Sequence, residues 1–403
     1  MKRKVWLIMA FTFSCSAALF SQEVKTSKFG KGIINIVDKD STWSLKLGAR
    51  IQLLASSFTI NEFEEFDDPS SSFLVRRARI KMDGFAFSPK LKYKIELGLS
   101  NRDMSGGGWY TADAPRIIYD AVAKWNFYNN FELWFGQTKL PGNRERVISS
   151  ANMQLVDRSI LNAGFNIDRD IGFQLHHKNT FGKTFIMKEI IAISQGEGRN
   201  VTTGNLGGLQ YTGRLEFLPL GEFADKGDYS GGDLSREQTP KLAVGVSFDH
   251  NHDAVKTRSN MGSYMITDTG FHHTNINTLF IDSMFKYKGV SFMTEFAKRT
   301  ADDPIARNAD GSETGMSVLT GNALNLQAGY LFKSNWEISG RYAAANFDRS
   351  ITGRGAENEY TAGVSKYIAK HKLKVQSDLG YLTNSESSNV DMILFRLQFE
   401  LHF

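Results

Sequence analysis

The last nine residues of the 403-residue chain alternate apolar and polar side chains without a break. Successive side chains of a strand point to opposite faces, so one face here is wholly apolar: Phe395, Leu397, Phe399, Leu401 and Phe403. The opposite face is wholly polar: Arg396, Gln398, Glu400 and His402. A soluble protein needs a core to cover such an apolar face, whereas lipid covers it in a membrane barrel. The pattern therefore predicts the closing strand of an outer-membrane β-barrel.

The same alternation recurs from Trp43 to the end of the chain, interrupted by turn signals. Eight mostly polar long segments alternate with seven connections that are mostly short, which predicts about sixteen antiparallel strands. The predicted fold class is all-β, a transmembrane barrel with both termini on the periplasmic side. A barrel of this size encloses a water-filled channel instead of a packed interior.

The N-terminal residues have the order of a secretory signal peptide. Residues 2–4 are all basic, 5–13 form an apolar run, and 14–21 are mostly small. An uncleaved anchor is the alternative, but the run is too short to cross a bilayer of about 30 Å. The predicted organisation is a signal peptide over 1–21, a short periplasmic lead over 22–41, and an outer-membrane barrel over 42–403. This organisation predicts a location in the outer membrane of a Gram-negative cell.

Composition limits the chemistry available to the exported chain. The only cysteine, Cys15, lies inside the predicted signal peptide, so disulfides and thiolate sites are excluded from the mature protein. The formal net charge of +5 is mild for this length and suits anionic solutes without proving them. We expect no cofactor and no nucleic-acid partner.

One histidine- and aspartate-rich run, 249–253, resembles a metal-binding cluster placed in an extracellular loop. As a calcium loop it fails, because Ala254 replaces the required glycine and Asn260 the closing glutamate. A weak divalent-ion site remains an alternative. No G-x-S-x-G elbow occurs and spacing singles out no catalytic triad, so we expect no enzyme and assign no catalytic or metal residues.

The third long segment, 141–168, is about 28 residues long, and loops beyond about 15 residues are usually functional or disordered. It carries Arg144, Arg146 and Arg158 among acidic residues, with Arg169 just after it. A solvated loop with self-neutralising charges is one interpretation. We favour the other, in which this third extracellular loop folds inward and narrows the pore.

The densest basic patch on any predicted strand is 76–81, with the sequence RRARIK. Alternation places Arg77, Arg79 and Lys81 on the lumen face, and Arg50 faces the lumen from another strand. Rings of arginine and lysine select anions, but arginine–carboxylate pairs that brace the wall would give the same pattern. The candidate pore-lining residues are Arg50, Arg77, Arg79, Lys81, Arg144, Arg146 and Arg158.

Four stretches, 76–81, 136–141, 213–219 and 239–245, resemble the phosphate-selective porin O and P family in its Bacteroidetes-type form. The resemblance implies a trimeric porin of sixteen strands with an inward third loop and an arginine-lined pathway. On this chain it implies roles for Arg77, Arg79 and Lys81 and for the loop residues Arg144, Arg146 and Arg158. Acidic residues are interspersed among these positions.

The sequence thus predicts passive diffusion of small hydrophilic solutes, with a preference for anions such as phosphate. The expected partners are outer-membrane lipid, anionic solutes, two further copies in a homotrimer, and the barrel-assembly machinery acting on the strand that ends at Phe403. Two alternatives stay open. One is a barrel enzyme of protease or lipase type, supported only by 249–253. The other is a non-conducting surface or adhesion barrel that uses the acidic first loop, with Glu62, Glu64, Glu65, Asp67 and Asp68.

Overall fold

The computed structural model describes residues 29–62, 65–384 and 391–403. The predicted signal peptide, 1–21, and the start of the lead lie outside these residues. Sixteen long strands confirm the predicted strand number. They are β1 Ser44–Glu62, β2 Ser70–Ala86, β3 Ser88–Gly98, β4 Ile118–Tyr128, β5 Phe131–Lys139, β6 Arg169–Phe181, β7 Phe185–Ser194, β8 Gln210–Leu218, β9 Lys241–Ala254, β10 Thr274–Tyr287, β11 Val290–Ala301, β12 Gly321–Leu331, β13 Trp336–Phe347, β14 Ala356–Tyr367, β15 Leu373–Asn384 and β16 Asp391–His402.

The strands close into an antiparallel barrel. Each strand pairs with the next along the chain, and β16 pairs with β1 from Arg50↔His402 to Asn61↔Asp391. Closure leaves no row of unpaired backbone groups, which is what a strand architecture needs in lipid. None of the helices in the described parts of the chain has the length and apolar character needed to cross a bilayer.

Side-chain burial is reversed relative to a soluble protein. On β16, Phe395 and Phe399 are 46% and 39% exposed, whereas Arg396 and Glu400 are 6% and 0% exposed. The apolar face therefore points out of the barrel and the polar face points in, as the alternation predicts. This arrangement is stable only where hydrocarbon surrounds the outside.

The two ends of the barrel differ in their connections. At one end, called the turn end, most connections are short, and Lys288–Gly289 turns with positive φ at both residues (47° and 92°), as tight hairpins require. The longer connection 219–240 lies at this end too. The opposite, loop end carries the long segments. Several strands extend further into these long segments than the sequence predicts. For example, β1 continues to Glu62 and β9 to Ala254.

Short strands and helices lie at both ends of the barrel. Ile34–Val37 pairs with β1 at the turn end, and Glu65–Phe66 pairs with its other end. The loop hairpins pair Lys256–Arg258 with Met261–Tyr264, Ile266–Thr267 with Gly270–Phe271, and Ile305–Arg307 with Glu313–Ser317. The helices are Asn101–Met104, Arg144–Val147, Ile160–Phe165 and Arg349–Thr352, with 3₁₀ turns at Trp109–Thr111 and Ala224–Tyr229.

Residues 140–168, named the L3 segment here, carry an apolar cluster as well as charges. Leu161 and Phe165 are fully buried and pack with Phe280 of β10 and Phe347 of β13. The rings of Phe165 and Phe347 stack with centroids 5.5 Å apart. Alanines on inward positions of β7, β11, β12 and β13 complete the cluster. Burial of each large apolar side chain contributes about 1.5–3 kcal/mol, so this contact fixes the segment against one side of the wall.

Polar contacts join the same segment to inward-facing side chains around the barrel. They are Arg50–Ser150 on β1 (3.0 Å), Arg299–Gly164 on β11 (3.0 Å), Gln154–Glu337 on β13 (2.7 Å), Ile160–Glu359 on β14 (2.9 Å) and Val156–Asp378 on β15 (2.9 Å).

Candidate functional site

A β-bulge in β2 turns two adjacent arginines toward the lumen. Gln52 of β1 pairs with Arg77 and Leu53 pairs with Val75, so Arg76 is the extra residue. Val75 is 51% exposed on the outside, whereas Arg76 is 4% exposed and contacts the L3 segment. Strict alternation would place Arg76 in lipid, and a bulge is the local irregularity that avoids this.

Eight basic side chains line one cavity of about 150 Å³, named the cationic cavity here. They are Arg76, Arg77, Arg79, Arg102, Lys139, Arg146, Arg158 and Arg169. Among the described residues, Asp103 is the only acidic one in its lining. The cavity is formed by β2, β5, β6, the segment after β3 and the L3 segment, so distant parts of the sequence build it.

Four of these cations have carboxylate partners. The pairs are Arg76 with Asp157, Arg79 with Glu96 (2.9 Å) and Asp103 (2.8 Å), Arg146 with Asp168, and Arg169 with Asp120 (3.2 Å). Burial opposes ionisation of Asp157, but Arg76 and Arg396 lower its pKa below the usual value. These carboxylates are therefore charged and already paired with arginine side chains, and they hold the guanidinium groups in place.

The other four cations have no carboxylate oxygen within 4.0 Å among the described residues. Arg77 donates to Oε1 of Gln52 (2.6 Å). Lys139 donates to the carbonyl oxygens of Arg146 (2.7 Å) and Val147 (3.0 Å), and Arg158 to those of Glu145 (2.9 Å) and Ile148 (2.8 Å). Arg102 is exposed beside them. Carbonyl dipoles orient these groups without cancelling their charge, so the cavity carries uncompensated positive charge.

Arg158 shows the consequence for one group of the L3 segment. Burial first, and the positive charge of Arg146 second, lower the pKa of its guanidinium to about 9. At neutral pH the group is still a cation, and it lacks a fixed counter-ion. An anion that enters the cavity would relieve this unfavourable charge.

The structure brings six of the seven predicted residues onto connected cavities. Arg77, Arg79, Arg146 and Arg158 line the cationic cavity. Arg50 and Lys81 line a neighbouring cavity of about 250 Å³, which shares Arg79 and Ser149 with it.

Arg144 does not line these cavities. It is fully buried and pairs with Asp282 and Glu216, each at 2.8 Å. Its position is that of an anchor between the L3 segment and the wall.

The sequence-based set omits four members of the cavity: Arg76, Arg102, Lys139 and Arg169. Two of these four residues could have been identified from the sequence. Lys139 lies inside the stretch 136–141 that carries the family resemblance, and Arg169 follows the charged loop. Arg76 could not be identified from the sequence because the alternation pattern does not show the bulge. Arg102 could not be identified because sequence spacing does not show how the second loop folds.

The run 249–253 is not an extracellular loop. It lies within β9, where Asp249 is fully buried and accepts hydrogen bonds from Gln210 (2.8 Å) and Thr212 (2.7 Å). His252 contacts Asn275 at 2.9 Å instead. Alternation separates the side chains, and no group of three histidine, cysteine or acidic residues converges in the described chain.

Comparison with known proteins assigns the family. The model of the family described as "Phosphate-selective porin O and P" matches residues 45–401. The chain belongs to this family. It is an outer-membrane porin by family and fold, and both point to a channel instead of an enzyme.

Similar proteins support the fold. An uncharacterised protein of Aquifex aeolicus (strain VF5) is 24% identical over 358 residues, which cover 83% of this chain and 81% of that protein. The anion-selective porin from Comamonas acidovorans superimposes with a TM-score of 0.53 at 12% identity, covering 90% of this chain and 100% of that one. The trimer form of OmpT from Vibrio cholerae gives a TM-score of 0.51 at 11% identity, covering 90% and 100%. At these identities the structural likeness establishes the barrel fold.

Proposed function

We propose that this porin conducts small hydrophilic anions in preference to cations, and that the cationic cavity is the selective part of its path. The observation that carries the proposal is the presence of four cations without a carboxylate partner around one small cavity. The structural neighbour from Comamonas acidovorans is named as an anion-selective porin, which agrees with this direction.

The paired and unpaired cations have different tasks in this proposal. Carboxylates hold Arg76, Arg79 and Arg169 in fixed positions, so part of the wall is rigid. Arg77 and Arg158 supply donors and uncompensated charge that replace part of the hydration shell of an entering anion. Guanidinium groups bind oxyanions through two parallel hydrogen bonds, so phosphate and similar ions are the solutes that we propose for the path.

The L3 segment acts in this proposal as the constriction. Its apolar cluster and its contacts with β8 and with β10 to β15 occupy one side of the lumen, and Ser150 also contacts Arg50 of β1. Its Arg146 and Arg158 face the remaining opening beside β2 and β6. A segment that is attached to one side of the wall and carries basic residues toward the opening would narrow the pore. The same segment would also make the narrowed pore positively charged.

The remaining features of the protein are proposed from the sequence. Export would use the signal peptide 1–21 with a cut near Ser21, followed by the lead 22–41 and the barrel 42–403. Assembly would depend on the strand ending at Phe403. The trimer form of the OmpT neighbour supports a homotrimer. No enzymatic step is part of this function.

Reversal potentials of the reconstituted porin test the proposal. Across a potassium chloride gradient in a planar bilayer, the wild type should show anion preference, and phosphate should also carry current. The double variant Arg77→Gln/Arg158→Gln removes two unpaired charges and should lower the anion-to-cation permeability ratio several-fold. Arg354→Gln is the matched control, because Arg354 is exposed in a loop and pairs with Glu357 at 2.7 Å.

A cation-preferring wild type would overturn the proposed function. Equal permeability ratios in the double variant and the control would instead remove the cationic cavity from the path.

A further inference from the structure

A second cavity, of about 380 Å³, adjoins the cationic cavity and shares Lys139, Ser149 and Arg169 with it. We name it the aromatic cavity. Its size lies within the range of about 300–1,000 Å³ typical of sites for small organic molecules. The two cavities are therefore adjacent and have different linings.

Six apolar or aromatic residues form much of the wall of the aromatic cavity: Trp134, Leu140, Pro141, Val147, Ile190 and Tyr229. Trp134 and Ile190 occupy inward positions on β5 and β7. On β7 the outward residues Ile191 and Ile193 are 62% and 44% exposed, which fixes Ile190 on the opposite face. Lumen positions of a water-filled barrel are normally polar. Contact with lipid therefore does not explain the apolar side chains at these inward positions.

The Trp134 ring is held in place from within the lumen. His176 stacks on it with centroids 3.9 Å apart and an angle of 22° between the planes. Nζ of Lys124 lies 3.3 Å from the ring centroid. His176 is itself bonded to Gln174 at 3.1 Å. The indole is thus an ordered part of the wall.

Charges inside the aromatic cavity are largely compensated. Lys188 contacts Glu216 (3.0 Å) and Asp228 (2.6 Å), and Lys94 contacts Asp120 (2.6 Å). Lys139, which has no carboxylate partner, lies at the border with the cationic cavity. The unpaired positive charge of the aromatic cavity therefore lies at its border with the cationic cavity, and Trp134 and Ile190 belong to the part of the lining that the two cavities do not share.

From this division we infer that the porin binds and conducts aromatic oxyanions, a solute class consisting of a ring that carries a carboxylate or sulfonate group. The inference deepens the proposed function and rests on it. The acid group would accept hydrogen bonds from Arg158 and lie near Lys139, whose ammonium group already donates to three carbonyl oxygens. The ring would lie against Trp134 and Ile190. A free inorganic anion such as phosphate has no group for this apolar wall, whereas a ring would bury area there and contact the edge of the Trp134 indole, whose faces His176 and Lys124 already cover.

Two sulfonates separate the ring from the charge. Benzenesulfonate and methanesulfonate carry the same permanently ionised group, and only the first has a ring. Each is titrated against the chloride current of the reconstituted wild-type porin. We expect benzenesulfonate to halve the current at about a tenfold lower concentration, which corresponds to about 1.4 kcal/mol from contact with the ring.

Variants locate the effect. Trp134→Gln and, separately, Ile190→Ser should remove most of the difference between the two sulfonates while the preference for chloride over potassium persists. Trp109→Gln is the matched control, because this tryptophan is 45% exposed in the second loop and lines neither cavity. It should leave the difference unchanged.

The outcomes distinguish the two proposals. An anion-selective wild type that both sulfonates block equally refutes the inference and leaves the proposed function standing. A tenfold difference that persists in both Trp134→Gln and Ile190→Ser also refutes it, since the ring then binds elsewhere. A wild type without anion preference overturns the proposed function, and the inference is lost with it.

Discussion

Nε of Arg144 lies 2.8 Å from Oδ1 of Asp282, so a buried ion pair joins the L3 segment to the inner face of β10. The same guanidinium donates to Glu216 of β8 at 2.8 Å and to the carbonyl oxygen of Asp228 at 2.7 Å. Arg214 also contacts both carboxylates. Two arginines and two acids thus form a network in which the L3 segment supplies one member, and Lys188 contacts Glu216 at its edge (3.0 Å).

Replacing Arg144 with methionine should loosen this attachment. The change leaves Asp282 with Arg214 alone and Glu216 with Arg214 and Lys188, and breaking a buried pair in this way destabilises by about 3–5 kcal/mol. We expect a lower unfolding temperature in detergent, followed by circular dichroism, and a larger or noisier single-channel conductance. Arg307→Met is the control, because Arg307 forms an exposed pair with Glu313 at 3.2 Å worth at most about 1 kcal/mol. Identical melting of the two variants would contradict the anchor role.

The barrel could be predicted from sequence because one physical constraint acts on every strand. Lipid requires an apolar residue at each outward position, as at Phe395 and Phe399, and water tolerates Arg396 and Glu400 inside. This constraint is local, and it repeats sixteen times around the closed barrel. The same reasoning places Arg77, Arg79 and Lys81 inward.

The cavities could not be predicted in the same way, because non-local contacts form them. Arg144 and Arg158 have equal standing in the sequence, yet one is an anchor and the other lines the cationic cavity. The difference lies in their partners: Arg144 meets Asp282 and Glu216 on the wall, whereas Arg158 meets carbonyl oxygens of the L3 segment itself. Periodicity carries no information on how a long loop meets a wall. The prediction for the L3 segment rests on its charged residues, and the sequence pattern does not indicate that apolar residues of this segment are buried.

Lys372, in the turn before β15, gives the pore a predicted pH dependence. It lines the cavity that also holds Arg50 and Lys81, and its Nζ lies 3.0 Å from Nδ1 of His402. Burial, and then the positive charges of Lys46 and Lys81, lower its pKa to about 8. A lysine is a cation below its pKa and neutral above it. Raising the pH from about 7 to about 9 should therefore remove this charge and lower the anion-to-cation permeability ratio.

Two variants assign the pH effect to Lys372. Lys372→Arg should keep more of the charge over this interval, because the ordinary pKa of arginine is about two units above that of lysine, and it should flatten the profile. Lys372→Gln should show at pH 7 the ratio that the wild type shows at the higher pH. A profile that survives unchanged in both would point to another group, and Arg158, whose pKa is lowered to about 9, is the next candidate.

The bulge in β2 makes a prediction about deletions. Arg76 is the extra residue between two regular stretches of the β1–β2 ladder, so its removal leaves Val75 facing outward and Arg77 facing inward. Deletion of Arg76 should therefore give a folded barrel that lacks the Arg76–Asp157 contact and the hydrogen bond from Ser100 to the Arg76 carbonyl oxygen. Deletion of Ile80 instead shifts the register within a regular stretch and directs either Arg77 and Arg79 or Lys81 toward lipid. Each basic side chain at the bilayer midplane costs about 2–4 kcal/mol, so this second variant should fail to reach the heat-resistant folded form on a detergent gel. If both deletions fold equally well, the inward position of two adjacent arginines does not depend on a bulge.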